Sequence, residues 1–326
     1  MRTPAGYLRG IRHPEAFHGR GAGTPFFEGW YIKLLSADRA HRWAVIPGVF
    51  RGVGDDEVRD EAFVQVLDGL TGRSWYHRFE VDALTASDTR FDVSIGGNRF
   101  DPSGVTLDLP QLRGRLEYTS ALVPFPSPGI MGPYGYVPAM ECFHGIVSFG
   151  HGLAGELEVE GERVTFDGGR GYIEKDWGRS FPAGYVWAAS NHVDADPDAS
   201  LVASVAIIPW MGRAFRGTII AFRHSGRLHT WATWNRSRER SLTIDDSRVR
   251  WSVEGRDGVL ELEAERVRGG LLHAPLRTAQ HERVEETLDA HIRFRHLAPD
   301  GSVLLEGVAE CAGLEVFGDI DGLLAL

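Results

Sequence analysis

From residue 26 to residue 311 the sequence is a succession of short runs that alternate in polarity, and a turn signal separates one run from the next every ~8–12 residues. Residues 62–67 and 74–81 flank Asp68-Gly69. Residues 216–223 and 227–234 flank His224-Ser225-Gly226. Residues 291–296 and 302–311 flank Pro299-Asp300-Gly301. Alternation sends successive side chains to opposite faces of an extended chain, and Gly, Asp, Asn and Pro supply the backbone of tight turns. Helical periodicity is nearly absent, residues 282–290 being its one modest candidate. A chain written this way is all-β. Two halves of similar strand count predict two antiparallel β-barrels or half-barrels packed together, and small closed barrels of this kind hold one apolar ligand or pack solid.

The expected organisation is an N-terminal arm over 1–24, loosely structured and rich in Gly, Pro, Arg and His, a first barrel domain over 25–160, and a second over 161–326. The first domain reads as strands at 26–35, 42–49, 62–67, 74–81, 90–95, 105–109 and 113–119, then at 141–149 and 155–160. Residues 121–138 interrupt the rhythm. Pro124, Pro126, Pro128, Pro133 and Pro138 do not belong in regular strands. The loop also carries Phe125, Ile130, Met131, Tyr134 and Tyr136, so it reads either as a lid over a binding site or as a packed crossover.

Charge narrows the partners. A net charge of -10 argues against nucleic acid and anionic membrane surfaces, both of which attract basic patches. No apolar run approaches the ~20 residues of a helical membrane span. Residues 1–23 hold four arginines without an apolar core behind them, unlike a secretory signal. The two cysteines, Cys142 and Cys311, make no disulfide framework and no zinc spacing. Together these predict a cytoplasmic protein.

Several motif matches fail on context. Gly150-His151-Gly152-Leu153-Ala154-Gly155 has dinucleotide-fingerprint spacing, but an alternating strand, Glu156-Leu157-Glu158-Val159-Glu160, follows it instead of a helix. Asp194-Ala195-Asp196-Pro197-Asp198 starts like a calcium loop and lacks its central Gly and closing Glu. His281-Glu282 has no second His at metalloprotease spacing. The 13 histidines show no metal-ligand cluster in their spacing, so no metal and no cofactor is expected.

The lysines are more informative. Of 35 basic residues only Lys33 and Lys175 are lysines. Where Arg has replaced Lys throughout, a surviving Lys marks a place that needs a compact ammonium, or one able to lose its proton. Both fall in strings of one make-up: Phe26-Phe27-Glu28-Gly29-Trp30-Tyr31-Ile32-Lys33 and Gly171-Tyr172-Ile173-Glu174-Lys175-Asp176-Trp177-Gly178-Arg179-Ser180-Phe181-Pro182. A third stretch, Met140-Glu141-Cys142-Phe143-His144-Gly145, sets Glu141 and His144 in apolar company. A carboxyl buried among aromatics keeps its proton toward neutrality and can act as an acid. The cation formed on an alkene would be stabilised by Trp and Tyr faces. The alternative for Glu28, Glu174 and Asp176 is a buried pair with Lys or Arg that fixes the register of a sheet, and for His144 a hydrogen-bonded place in the core.

At these strings the chain resembles the tocopherol cyclase family. The matching pieces are Phe26 to Tyr31, Met140 to Gly145, Gly171 to Pro182 and Gly313-Leu314-Glu315-Val316-Phe317-Gly318-Asp319, in the expected order and spanning most of the chain. The resemblance implies a pair of lipocalin-like barrels. It also implies a cofactor-independent cyclase acting on an apolar prenylated quinol or related isoprenoid, with transient membrane contact to collect it. The reaction would protonate a trisubstituted alkene and let a phenolic oxygen capture the tertiary cation. Asp176 stands where the plant pattern has Asn, so the proton donor is assigned to Glu174 with Asp176 as alternate or partner. Lys175 would set local charge or orient the phenol. Trp30, Trp177 and Trp187 would line the path of the cation, and Glu28, Tyr31, Glu141, His144 and Asn191 would complete the substrate site. A non-catalytic carrier of an apolar ligand and an alkene hydratase are the alternatives.

Overall fold

The alternating runs form strands. The computed structural model describes residues 4–52, 60–276 and 279–326. The first half contributes β1 (Phe26–Leu35), β2 (Arg42–Arg51), β3 (Glu61–Asp68), β4 (Ser74–Glu80), β5 (Leu84–Ala86) and β6 (Val93–Ile95). It continues with β7 (Asn98–Asp101), β8 (Gly104–Asp108), β9 (Leu112–Tyr118), β10 (Cys142–Val159), β11 (Glu162–Thr165) and β12 (Gly169–Gly178). These make one antiparallel sheet in the order β4-β3-β2-β1-β12-β10-β9-β8-β7-β6-β5, with β11 on β10. The second half contributes β13 (Gly184–Ser190), β14 (His192–Val193), β15 (Ser200–Trp210), β16 (Arg213–His224), β17 (Arg227–Ala232) and β18 (Arg238–Ile244). After these come β19 (Arg248–Gly255), β20 (Gly258–Glu265), β21 (Gly270–Leu276), β22 (Ala279–Leu297) and β23 (Val303–Gly318). Their order is β17-β16-β15-β13-β23-β22-β20-β19-β18, with β14 on β23 and β21 on β22.

The protein is therefore all-β with two large antiparallel sheets. Neither path of hydrogen-bonded strands closes on itself, so neither sheet is a complete barrel. The first sheet curls until its ends approach: the His77 ring on β4 hydrogen bonds the Gln111 amide just before β9, at 3.1 Å. One core fills the curl of each sheet. Trp30, Ile32, Val45, Val64, Phe100 and Ile173 belong to the first; Val186, Leu201, Phe222, Trp231 and Phe294 belong to the second.

Sequence character follows position in the sheet. On β9 burial alternates, because one face meets the core and the other water. Nearly all of β1 is buried, on both faces, which explains a run with almost no polar alternation. The same holds for β12, the strand made of the string Gly169 to Gly178.

The chain divides into two compact units. The first comprises 1–68, 74–181 and 272–283; the second comprises 69–73, 182–271 and 284–326. The crossing thus falls at Phe181–Pro182. The expected border at 160/161 lies inside the β10–β11 hairpin of the first sheet, because β12 pairs with β1 and β10. The segment 272–283 belongs to the first unit, where the Gln65 side chain bonds the backbone of His273 at 2.9 Å and 2.7 Å.

Other expectations change too. Residues 282–290 lie within β22 and form no helix: pairing with β23 overrides a weak helical period. The strands expected at 141–149 and 155–160 are one strand, β10, whose register shifts absorb the intervening glycines. The N-terminal arm is ordered over its described part. It holds helix α1 (Pro4–Arg12), with Arg9 and Arg12 in its last turn. At the other end Asp319 caps α2 (Ile320–Ala325) by accepting from the Gly322 N–H at 2.8 Å. No helix among the described residues is long and apolar enough to cross a membrane.

The proline-rich loop runs along the edge of β10 that β9 leaves unpaired. The Phe149 N–H donates to Val123 O at 2.8 Å, the Phe125 N–H to Ile146 O at 3.2 Å, and the His144 N–H points at Met131 Sδ at 3.1 Å. Tyr7 of α1 donates to Gly135 O at 3.2 Å. The loop satisfies strand edges with its own backbone, as a packed crossover does.

Candidate functional site

Strand β12 is the centre of the first unit's polar residues. It lies between β1 and β10, with Trp30 opposite Lys175 and Tyr31 opposite Glu174 on one side, and Gly145 opposite Lys175 and His144 opposite Asp176 on the other. A strand alternates its side chains. The consecutive charges of Glu174-Lys175-Asp176 therefore divide. Lys175 and Trp177 share one face with Glu28 and Trp30. Tyr172, Glu174 and Asp176 share the opposite face with Tyr31 and Lys33 of β1 and Cys142 and His144 of β10.

On the first face Lys175 is fully buried, as is Glu28. The ammonium has three protons and three acceptors: a Glu28 carboxylate oxygen, the Ala16 carbonyl and His18 Nδ1, the last at 2.9 Å. Its charge also lies 4.2 Å from the Trp30 ring centroid. His18 Nε2 donates to Gly10 O at 3.0 Å, which leaves Nδ1 as the acceptor. Burial, then the Lys175 charge, lowers the His18 pKa to about 4, so the ring is neutral at physiological pH. It stacks on Trp177 at 4.2 Å. Both Glu28 oxygens accept the His18 N–H, at 2.8 Å and 2.9 Å. Burial works to raise the Glu28 carboxyl, but Lys175 and the hydrogen bonds prevail and hold it below its usual range. This face is a strap. It fastens the segment after α1 to the sheet, and Trp30 Nε1 adds a bond to Glu15 O at 2.9 Å.

The second face carries an acid cluster. Asp176 Oδ1 lies 2.9 Å from His144 Nδ1, Glu174 Oε2 lies 3.8 Å from His144 Nε2, and Tyr172 Oη donates to Glu174 Oε2 at 2.5 Å. Cys142 Sγ is 3.9 Å from Asp176 Oδ1. Burial alone would lower the His144 pKa. The charge of Asp176, then that of Glu174, then the Asp176 hydrogen bond raise it to about 9. His144 is thus an imidazolium at neutral pH, its Nδ1 proton held by Asp176. Its buried Nε2 has no hydrogen-bond partner among the described residues. The Tyr172 hydroxyl, pushed well upward by burial and by Glu174, stays neutral. The three ligand atoms of His144, Glu174 and Asp176 lie within 4.8 Å of one another, so the cluster can hold either a proton or a divalent cation.

The His144 shift has a sign that can be measured. Its folded pKa of about 9 lies above the ordinary 6.5. The stability it contributes is complete below about pH 6.5 and is lost as the pH rises through about 9. An NMR titration of the imidazole is expected to show a midpoint near 9, falling in Asp176→Asn, which removes the nearer anion.

The glycines that bracket the string make room for it. A Cβ on Gly178 would come 2.1 Å from the Glu141 carbonyl oxygen, and one on Gly171 would come 2.3 Å from the His151 ring. Backbone yields less readily than the end of a side chain. Gly178→Ala is therefore expected to cost about 2–4 kcal/mol by chemical denaturation, and Gly171→Ala less.

The remaining candidates make none of the cluster's described contacts. The Glu141 carbonyl accepts the Arg179 N–H at 2.7 Å. Trp187 and Asn191 belong to the second unit, where both are buried and Asn191 Oδ1 meets His192 Nδ1 at 2.9 Å. Two residues escaped the sequence reading: Tyr172, present in the string but not singled out, and His18, whose place beside Lys175 no local pattern announces.

Fold and site together define a class: an all-β protein of two antiparallel-sheet units, the first of which carries a largely buried acid cluster on an interior strand. The sequence model described as "Tocopherol cyclase-like" matches residues 131–318. The chain belongs to the tocopherol cyclase-like family. It is 24% identical to a probable chloroplastic tocopherol cyclase of Oryza sativa subsp. japonica, with 95% of this chain and 79% of that protein covered. To the chloroplastic tocopherol cyclase of Zea mays it is 24% identical, covering 97% and 80%. Among solved structures it shares its fold with NE1406 of Nitrosomonas europaea, described as an AttH protein, at a TM-score of 0.55 and 14% identity, covering 93% and 97% of the two chains.

Proposed function

We propose that this protein is a cofactor-independent cyclase of a prenylated quinol or a related isoprenoid. The observation that carries the reading is His144, a largely enclosed imidazolium held between two carboxylates, with Nδ1 2.9 Å from Asp176 and Nε2 facing Glu174 at 3.8 Å. Membership of a family whose plant relatives are named tocopherol cyclases supports the substrate class.

The chemistry balances within the substrate. A proton passes from the His144–Glu174 pair to the less substituted carbon of a trisubstituted alkene. The tertiary carbocation takes a lone pair of the phenolic oxygen, closing the ring, and the phenolic proton returns to the pair. Nothing is oxidised and no water is consumed. Glu174 is the carboxyl that exchanges the proton, Tyr172 fixes its orientation, and Asp176 holds the His144 tautomer and offsets its charge. Tyr31, opposite Glu174 and on the same face, offers the cation a ring. Lys175 has a positioning role on the other face, because its three protons are already engaged there.

The test is purified protein with a prenylated hydroquinone in oxygen-18 water. The expected product has the mass of the substrate and no label. A product heavier by one labelled water makes the protein a hydratase, and recovery of bound, unchanged substrate makes it a carrier; either result overturns the proposal.

A further inference from the structure

Three histidines that sequence spacing does not associate meet in the second unit. His224 ends β16, His229 lies on β17 and His296 lies near the end of β22. His224 and His296 are 72 residues apart along the chain. In the order of the sheet β17 and β16 are separated from β22 by β15, β13 and β23, so the rings meet across the curl and not along a ladder. His224 and His296 are buried and His229 is half-buried. One nitrogen of each ring lies within 4.8 Å of the other two.

The hydrogen bonds fix the tautomers. His296 Nε2 faces Asp257 O at 2.7 Å, and a carbonyl only accepts, so this nitrogen carries the proton. The lone pair of His296 Nδ1 points inward, 2.8 Å from His224 Nε2. The other nitrogen of His224 meets Ser225 Oγ at 3.2 Å, a hydroxyl that can donate or accept. His224 can therefore move its proton to Nδ1 and present Nε2 as a second lone pair without leaving its place. His229 makes ring contacts with both, at centroid distances of 4.5 Å and 4.6 Å, and no side-chain hydrogen bond among the described residues.

Three imidazoles brought out of water lose solvation that one hydrogen bond between two of them does not restore. A metal binds the neutral imidazole through the lone pair that His296 Nδ1 already turns inward. The backbone carbonyl behind His296 is the outer partner that orients a ligating imidazole. Two carboxylates stand near, each held by backbone: Asp196 accepts the Ser225 N–H at 2.7 Å, and Asp257 accepts the Thr230 N–H at 2.9 Å. The charges of Asp257 and Arg227 both reach His229.

We infer that His224, His229 and His296 form a binding site for a divalent first-row transition ion of the zinc type, held by three imidazoles with a fourth position open past the half-buried His229. Tetrahedral ligation with metal–nitrogen distances of ~2.0–2.1 Å sets the nitrogens about 3.3 Å apart. The His224–His296 pair opens by about 0.5 Å from hydrogen-bond distance, and His229 turns its ring toward the ion. Such an ion would pin the β16–β17 hairpin to β22 across the core. The site lies in the other unit from the acid cluster and does not depend on the cyclase reading.

The test is titration of the purified, chelator-treated protein with Co²⁺, read by its visible ligand-field absorption, followed by displacement with Zn²⁺. One equivalent is expected to give the intense spectrum of a four-coordinate site, and Zn²⁺ is expected to raise the unfolding midpoint. His229→Ala, at a half-buried position that tolerates truncation, is expected to weaken binding at least ~10-fold and abolish the thermal shift. His13→Ala, which removes an exposed imidazole of the first unit, is expected to leave both unchanged. Binding that survives His229→Ala, as it would if the ion sat in the acid cluster, or no saturable uptake by the wild-type chain would overturn the assignment.

Discussion

Glu174→Gln is expected to lower the turnover of a prenylated hydroquinone by about 10²- to 10⁴-fold, the range for removal of a positioned acid. The amide keeps the size of the carboxyl and can still accept from Tyr172, so the fold is retained. It cannot exchange a proton with His144. Turnover should fall with KM little altered, because a group that acts on the proton in flight contributes to the transition state more than to binding. Asp176→Asn separates the two carboxylates. It leaves Glu174 in place but removes the nearer anion that raises the imidazole. Wild-type turnover is expected to decline as the pH rises through about 9 and His144 loses its proton. In Asp176→Asn the decline moves to lower pH. Wild-type turnover in Glu174→Gln would reject the role of that carboxyl, and an unmoved pH profile in Asp176→Asn would reject that of the imidazolium.

Lys175→Met is expected to cost about 3–5 kcal/mol of folding stability, the range for breaking a buried pair from one side. The variant leaves the Glu28 carboxylate buried with the His18 backbone N–H and the His18 ring, whose Nδ1 lies 2.9 Å from Oε1, in place of a full positive charge, and leaves the Ala16 carbonyl without its ammonium donor. Glu28→Gln combined with Lys175→Met should recover much of the loss, since the amide oxygen still accepts the His18 N–H and no unpaired charge remains. Chemical denaturation of the wild type, Lys175→Met and the double variant measures this. The pH dependence gives a second reading. In the wild type the Glu28 pKa is depressed, so its contribution is present above the unfolded carboxylate range and is lost as the pH falls through the folded value. In Lys175→Met burial prevails and raises the carboxyl, so the deficit relative to wild type should shrink on acidification. A double variant no more stable than the single would mean that Lys175 contributes through packing on Trp30 alone.

The two lysines show how far one dimension reaches. Their scarcity marks Lys33 and Lys175, and both are buried, to 1% and 0% exposure. An Arg fork has no room for the three-acceptor arrangement at Lys175, which explains why this position resists the exchange made elsewhere. The sequence also carried the period that divides Glu174-Lys175-Asp176 between two faces. That period is masked because β12 and β1, buried on both sides, lack the polar alternation by which a half-exposed strand such as β9 is recognised. Read as a crowd of charges, the string suggested one site with Trp30 and Trp177 beside the acids. Read as a strand, it is two sites back to back.

What the sequence by itself determined is local. Alternation and turn chemistry define an all-β chain, and the four matching strings define its family, because both depend on residues a few positions apart. The tertiary structure decided everything that depends on which strands become neighbours. Pairing β12 between β1 and β10 placed the unit boundary at 181/182, turned residues 169–178 into the first sheet's central strand, and set His144 against Asp176. The fold of the N-terminal segment set His18 on Lys175. The curl of the second sheet gathered His224, His229 and His296. Apart from His224 and His229, which share one hairpin, these residues are tens of positions or more apart in the chain, and no local propensity encodes such a meeting. Burial against a shared core fixes the register, and the register fixes which charges face one another.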